Sequence, residues 1–250
     1  GAAMAAVSGR IKARTDEGVA EPVTEADQRS NQVLVNGYRQ RFPGLSILSE
    51  ERTPPPSGPL LTEPLALPAG AQLDEDPVFA VEDVLVTIDP LDATVEFTEN
   101  LLEYVTTQQC FVVDGRPIGG VIHQPFVDRP PTYASVESKQ VLGGVAPQPP
   151  QGGAATTVTV SRSHTGGAVD MVSTLFAGHT SLPAGGAGYK ALLVLQGSAD
   201  AYLHVTKSKV WDVCAGQAIL EAAGGVWTDT AGGALRYTHK QARASPSEPK

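Results

Sequence analysis

Val84-Leu85-Val86-Thr87-Ile88-Asp89-Pro90-Leu91-Asp92-Ala93-Thr94 decides how this chain reads. An apolar, β-branched run that ends in Asp-Pro-Leu-Asp predicts a buried strand delivering two carboxylates into a tight turn. Pro90 fixes its own φ and pushes Asp89 toward an extended conformation, so the strand is expected to stop at Asp89 and the chain to bend within the next few residues. That bend brings Asp89 and Asp92 together. Two close carboxylates repel unless something positive sits between them, and hard divalent cations such as Mg²⁺ prefer oxygen ligands of this kind. A plainer reading uses the same residues: Asp and Thr also cap helices, and a helix from Thr94 to Tyr104 is expected next.

Working outward, a chain of 250 residues that is 41% hydrophobic can bury a substantial core, as one large domain or two closely packed lobes. The formal net charge is −9 and no Lys/Arg cluster has aromatics interleaved, which argues against a nucleic-acid duplex as partner. A small anionic substrate would then need local positive charge. No apolar run approaches the roughly 18 residues of a membrane span, and Gly1-Ala-Ala-Met-Ala-Ala lacks the apolar core of a signal peptide. As given, the chain reads as soluble. Cys110 lies in an apolar strand pattern and Cys214 in a helical one with no CxxC, so both read as buried free thiols.

Residues 1 to 15 read as the tail of a helix. Val23 to Asn31 leads into a 3.6-period face of Val33, Leu34, Val35, Tyr38 and Phe42, which places Asp27 near a helix start and Pro43-Gly44 at its end. Leu45 to Glu51 is a short strand ending in two acids, and residues 52–77 form a Pro-rich stretch read as an exposed lid. Thr106 to Val113 and Ile118 to His123, joined at Asp114-Gly115, predict a hairpin. A Pro/Gly/Gln stretch from Gly143 to Gly153 divides an N-terminal lobe (1–150) from a C-terminal lobe (151–250). In the latter, strands are expected at Thr156 to Val160 and Ala201 to Val205, with helices at Ala191 to Gln196 and Val213 to Ala223.

Acids stand beside apolar elements in four places: Asp27, Glu50-Glu51, Asp89 with Asp92, and Asp212. An unpaired carboxylate is costly to bury, which favours a shared cation. Asp212, just ahead of its helix, also suits an N-cap. Pro183 to Lys190 is a glycine-rich turn into a helix, a geometry that offers backbone N–H groups to phosphate, although Gly186 and Gly188 could instead serve close packing. Ser161 and His164 follow a strand and can hold a phosphate or a base.

Taken together, Glu50-Glu51, Ile88-Asp-Pro-Leu-Asp-Ala-Thr94 and Trp211 to Leu220 resemble, in order and spacing, the three metal motifs of the inositol monophosphatase superfamily. These are lithium-sensitive, Mg²⁺-dependent phosphatases. Ala93, where most of the superfamily has Gly, resembles the branch that acts on adenosine 3′,5′-bisphosphate in the Golgi lumen. So do Glu96-Phe97-Thr98, Tyr104 to Thr107, Val160 to His164 and Pro183 to Lys190. The resemblance covers about Glu21 to Tyr237. It implies an α/β fold, a layered α-β-α-β-α sandwich, two or three Mg²⁺ ions and removal of the 3′-phosphate to leave AMP. It also implies Glu50, Asp89, Asp92, Asp212 and the Leu91 carbonyl as metal ligands, and Asp27 with Thr94 as the pair that positions and deprotonates water. Thr94, Ser161, His164, Gly186 and Lys190 would contact the nucleotide. An inositol phosphate phosphatase is the alternative within the class. A non-catalytic nucleotide-binding relative should have lost at least one of Asp27, Glu50, Asp89, Asp92, Thr94 and Asp212, yet all six are present. Members of the branch carry a membrane anchor upstream and a further strand and helix past Tyr237. Neither is evident in this sequence, where Thr238 to Lys250 looks unrelated. A homodimer is compatible with the resemblance.

Overall fold

The computed structural model describes residues 10–14, 20–52, 77–149, 156–163, 167–175 and 178–238. The Pro-rich segment read as a lid lies almost wholly outside them. The hub is β4 (Leu85–Asp92), flanked by β3 (Ser46–Ser49) in parallel and β5 (Thr106–Val113) in antiparallel. Its apolar run is buried on both faces. Val86 and Ile88 pack with Val35 and Tyr38 of α1 (Glu25–Arg41), while Leu85, Cys110 and Val112 share the opposite face with α5 (Val210–Ala222). Each such side chain removed from water contributes about 1.5–3 kcal/mol.

The hairpin of β5 with β6 (Arg116–His123) forms as expected, with Asp114 and Gly115 both at positive φ, as the favoured tight hairpin turn requires. Gly120 of β6 lets α5 settle on the sheet, since a Cβ there would lie 2.9 Å from the Ala215 carbonyl oxygen. β7 (Thr132–Ser135) and β8 (Gln140–Gly143) complete a six-stranded sheet in the order β3-β4-β5-β6-β7-β8. A second, parallel sheet has β9 (Thr157–Ser161) between β10 (Thr180–Ala184) and β11 (Ala201–Leu203). α3 (Ala168–Leu175) packs against β9 and β10, and α4 (Ala187–Leu195) lies between the small sheet and α5. The result is five layers: α1, large sheet, α5 with α4, small sheet, α3. The expected α-β-α-β-α sandwich is present. No helix among the described residues is long and apolar enough to cross a membrane.

Several local expectations are corrected. Arg10–Arg14 is strand β1, paired with β2 (Ala20–Val23), instead of helix. The strand does not stop at Asp89: a register shift absorbs Pro90 and Leu91, which have no counterpart on β5, and pairing resumes at Asp92 opposite Thr106. The helix from Thr94 is only α2 (Thr94–Thr98). Asn100 at φ 61° breaks it before a 3₁₀ turn at Leu102–Tyr104. α4 starts at Ala187, earlier than the apolar run suggested, because Gly186 at φ 66° turns the chain straight into it. Val33 and Phe42 are exposed, so the buried face of α1 is narrower than its periodicity implied. The cysteines are not free thiols: Cys110 of β5 and Cys214 of α5 form a disulfide with Cα atoms 5.7 Å apart. Their elements face each other across the layer interface, a pairing that spacing along the chain could not reveal.

Candidate active site

Thr24 caps α1, and Asp27 at the third helical position completes the capping box. Its Oδ2 accepts from the Thr24 N–H at 2.7 Å and hydroxyl at 2.5 Å. Asp27 is fully buried, and its Oδ1 lies 3.1 Å from the Thr94 hydroxyl. That hydroxyl is also 3.1 Å from the Leu91 carbonyl oxygen. One proton thus faces two acceptors, which leaves the Thr94 oxygen able to receive a hydrogen bond from a third group. Ala93, at φ 71° ahead of α2, turns Thr94 back toward Asp27.

Asp89 is 2% exposed at the β4 bulge, its Oδ1 accepting from the Leu91 N–H at 3.1 Å. Burial first, then the charges of Glu50, Asp92 and Asp212 and a hydrogen bond with Glu50, hold its carboxyl well above the usual range. Burial and Glu50 push Asp212 up to about 8, against the Lys209 N–H that donates to its Oδ2 at 2.9 Å. Asp212 sits one turn inside α5 instead of at the N-cap, closing onto the backbone of Lys209. The carboxyl of Asp92 is also raised, chiefly by burial, with Lys190 and the N–H groups of Gly188 and Ala187 opposing.

Asp92 accounts for the glycine turn. Its Oδ1 accepts from the Ala187 N–H at 3.1 Å, and its Oδ2 accepts from the Gly188 N–H at 2.7 Å and the Thr106 hydroxyl at 3.0 Å. The anion at the N-terminus of α4 is therefore this chain's own side chain. Gly188 is required there, since a Cβ would stand 2.5 Å from Thr106 Oγ1. Lys190, expected to face the nucleotide, is 3% exposed under the turn. Its Nζ donates to the Gly186 carbonyl at 2.5 Å and the Ala184 carbonyl at 3.5 Å, and lies 5.2 Å from the centre of the Tyr202 ring. Burial lowers its pKa against the pull of Asp92, Glu96 and Asp212.

The charges of Glu50, Asp92 and Asp212 thus all bear on Asp89, and those of Glu50 and Asp92 on Asp212, with Leu91, Thr94 and Asp27 linked alongside by hydrogen bonds. Ser161, at the end of β9, and Gly186 lie across the interface between the sheets, where a Cβ on Gly186 would stand 2.9 Å from Asp92 Oδ2. His164 lies outside the described residues. Among those described, no three His, Cys, Asp or Glu side chains converge as a ready-made metal cage. Even so, the donor set suits a hard cation, being all oxygen and carrying an excess of negative charge that burial makes costly. The amide of Gln108, fully buried opposite Asp89 in the β4–β5 register, has no hydrogen-bond partner at either atom among the described residues. A hydrated cation beside Asp89 would supply partners for it. Gln108 was missed in the sequence because a polar residue on the buried phase of a strand is visible only once the register is known. Glu96 and Arg162 stood within quoted motifs without a role.

A family model described as the inositol monophosphatase family matches residues 2–250. A Drosophila melanogaster protein provisionally named inositol monophosphatase 3 is 46% identical over 88% of this chain and 62% of its own length. Inositol monophosphatase 3 of Danio rerio is 39% identical over 92% of the chain and 68% of its own length. The Golgi-resident adenosine 3′,5′-bisphosphate 3′-phosphatase of Rattus norvegicus is 37% identical over 92% of the chain and 66% of its own length. The chain therefore spans about two thirds or less of most of these relatives. Among solved structures, the extragenic suppressor protein SuhB of Bartonella henselae superposes with a TM-score of 0.66 at 19% identity, covering 91% of this chain and 79% of its own. A Staphylococcal inositol monophosphatase-1 soaked in LiCl gives 0.67 at 17% identity, covering 93% and 77%. At these identities they support the fold alone. On the family match and the relatives' identities, the chain belongs to the inositol monophosphatase family.

Proposed function

We propose that this chain is a Mg²⁺-dependent phosphatase that removes the 3′-phosphate of adenosine 3′,5′-bisphosphate, giving AMP and inorganic phosphate. The observation that carries the reading is that the charges of Glu50, Asp92 and Asp212 all bear on buried Asp89, beside a Thr94 hydroxyl bonded to buried Asp27. In this reading Glu50, Asp89, Asp92, Asp212 and the Leu91 carbonyl hold the cations. When bound, these neutralise phosphoryl oxygens, lower the pKa of water and stabilise the leaving 3′-oxygen. Thr94 orients the attacking water through its oxygen, and Asp27 accepts the proton through Oδ1. Thr24 holds Asp27 in place by its two hydrogen bonds to Oδ2. In the same reading Ser161 and the Gly186 turn face the nucleoside part, His164 is a further nucleotide contact by family resemblance alone, and Lys190 acts from beneath by fixing the carbonyls of Ala184 and Gly186. Lithium sensitivity belongs to the same proposal, in line with the LiCl-soaked inhibitory complex of the Staphylococcal relative.

The Golgi-resident name of the rat relative supports the nucleotide and a Golgi lumenal site, and the buried Cys110–Cys214 disulfide fits an oxidising lumen. One observation favours a second reading. The Drosophila relative, at higher identity, is named for inositol monophosphate, and an acid cluster of this kind does not distinguish leaving groups. Phosphate release from adenosine 3′,5′-bisphosphate and from inositol 1-phosphate, assayed in parallel with Mg²⁺, separates the two. A kcat/KM that is higher for the inositol ester would replace the first reading with the second.

A further inference from the structure

Glu96 occupies a position that none of the roles above uses. It is 3% exposed on α2, two residues beyond Thr94, and its Oε1 accepts from Ser163 Oγ at 2.8 Å and Arg162 Nη1 at 3.1 Å. Arg162 also reaches Glu99 Oε2 at 2.7 Å, and its backbone N–H donates to the Ala184 carbonyl at 3.1 Å. A Cβ on Gly185 would stand 2.5, 2.6 and 2.7 Å from Glu96 Cγ, Cδ and Oε1, so with Glu96 in place that position admits only glycine. A side chain from the same short helix as Thr94 is thus inserted between the ends of β9 and β10, against the glycine turn. A buried carboxylate is tolerated when its donors are all present and costly when one is missing, which makes such an insertion a fixed registration between two parts of a fold.

We propose that Glu96 is a positioning residue that locks α2 to the strand ends of the small sheet, holding Thr94 at a set distance from the Ser161 and Gly186 side of the site. It acts through Arg162, Ser163 and Gly185 and does not touch substrate. The consequence for function rests on the phosphatase reading. A nucleotide that spans both sides of the site needs the registration, whereas a small ester held at the acid cluster does not.

The test uses the intact chain with Mg²⁺ and two substrates, adenosine 3′,5′-bisphosphate and p-nitrophenyl phosphate. Glu96→Ala is expected to lower kcat/KM on the nucleotide by roughly 10- to 100-fold, as for a displacement of about 1 Å at a reacting centre, with little change on the small ester. Glu96→Gln, which keeps an acceptor for Ser163 and Arg162, is expected to retain most activity. Glu96→Asp, which is too short, is not. Gly185→Ala should be impaired alone and partly recover in the Glu96→Ala background, where the methyl has room. A double-mutant cycle of Glu96→Ala and Arg162→Ala, read by urea unfolding, should be non-additive whatever the activity. Equal losses on both substrates, parental kinetics of Glu96→Ala on the nucleotide, or additive stability losses would each overturn the proposal. If the parent turns over neither substrate while the cycle is non-additive, the phosphatase reading fails and the structural lock stands.

Discussion

Replacing Cys110 and Cys214 together by Ala removes the disulfide without leaving a lone thiol. The bond joins positions 104 residues apart, fastening β5 to α5, and both residues are fully buried. In the loop-closure picture a cross-link of this span, on the order of 100 residues, restricts the unfolded chain by about 4.7 kcal/mol, and removing a native disulfide typically costs about 2–5 kcal/mol. The double variant is therefore expected to unfold at lower urea, with a stability loss in that range. The parent, once unfolded with reductant, should refold to the same reduced stability. Activity should suffer as well, because Cys214 lies two residues past Asp212 on the same helical turn. Thiol titration of the parent in denaturant without reductant should find no free thiol, since the chain has only two cysteines. Two titratable thiols in the oxidised parent, or a double variant within about 0.5 kcal/mol of it, would refute this reasoning.

Asp89→Asn is expected to abolish Mg²⁺-dependent turnover while raising the stability of the metal-free protein, since it removes a buried charge surrounded by Glu50, Asp92 and Asp212; kinetics at saturating Mg²⁺ and urea unfolding in EDTA check the two halves. Lys190→Ala is expected to behave as a core change, removing the ammonium's bond to the Gly186 carbonyl, which keeps only the 3.4 Å bond from the backbone N–H of residue 190, at a cost of roughly 1.5–3 kcal/mol plus the packing lost, instead of falling within the ±0.5 kcal/mol or so of a surface site. Its kinetic defect should be similar on substrates with and without a 5′-phosphate. Asp212, pushed up to about 8, holds in the folded state a proton that the unfolded chain releases near pH 4, so its contribution is complete at low pH and lost as pH rises toward 8. The Tm of EDTA-treated protein should accordingly fall between pH 5.5 and 8.5 more steeply than that of Asp212→Asn, and Mg²⁺ should reduce the difference.

What was legible in the sequence was the part written in local order. The β4 run, the Asp114-Gly115 hairpin, the helix after Thr24 and the acids at element ends could all be read because each depends on neighbours a few residues away. Register and facing were not legible. The bulge that carries β4 through Pro90 depends on β5 accepting a mismatch there, and the Cys110–Cys214 bond depends on α5 lying across β5. The glycine turn shows the same limit. Its sequence left phosphate binding and close packing both open, and that Asp92 from another element takes up its backbone donors is a fact of tertiary packing, as is the burial of Lys190 beneath it. Glu96 was visible as a motif residue, yet only the approach of Gly185 and Arg162 gives it a task.

In the proposed function the acids around the end of β4 form a Mg²⁺ centre that directs water to a 3′-phosphate. The most direct measurement is ³¹P NMR of adenosine 3′,5′-bisphosphate turned over by this chain, with Mg²⁺ and then with EDTA in excess. Inorganic phosphate and 5′-AMP are expected in the first case and no change in the second. Adenosine 3′-phosphate as product, or equal turnover with the metal removed, would contradict it.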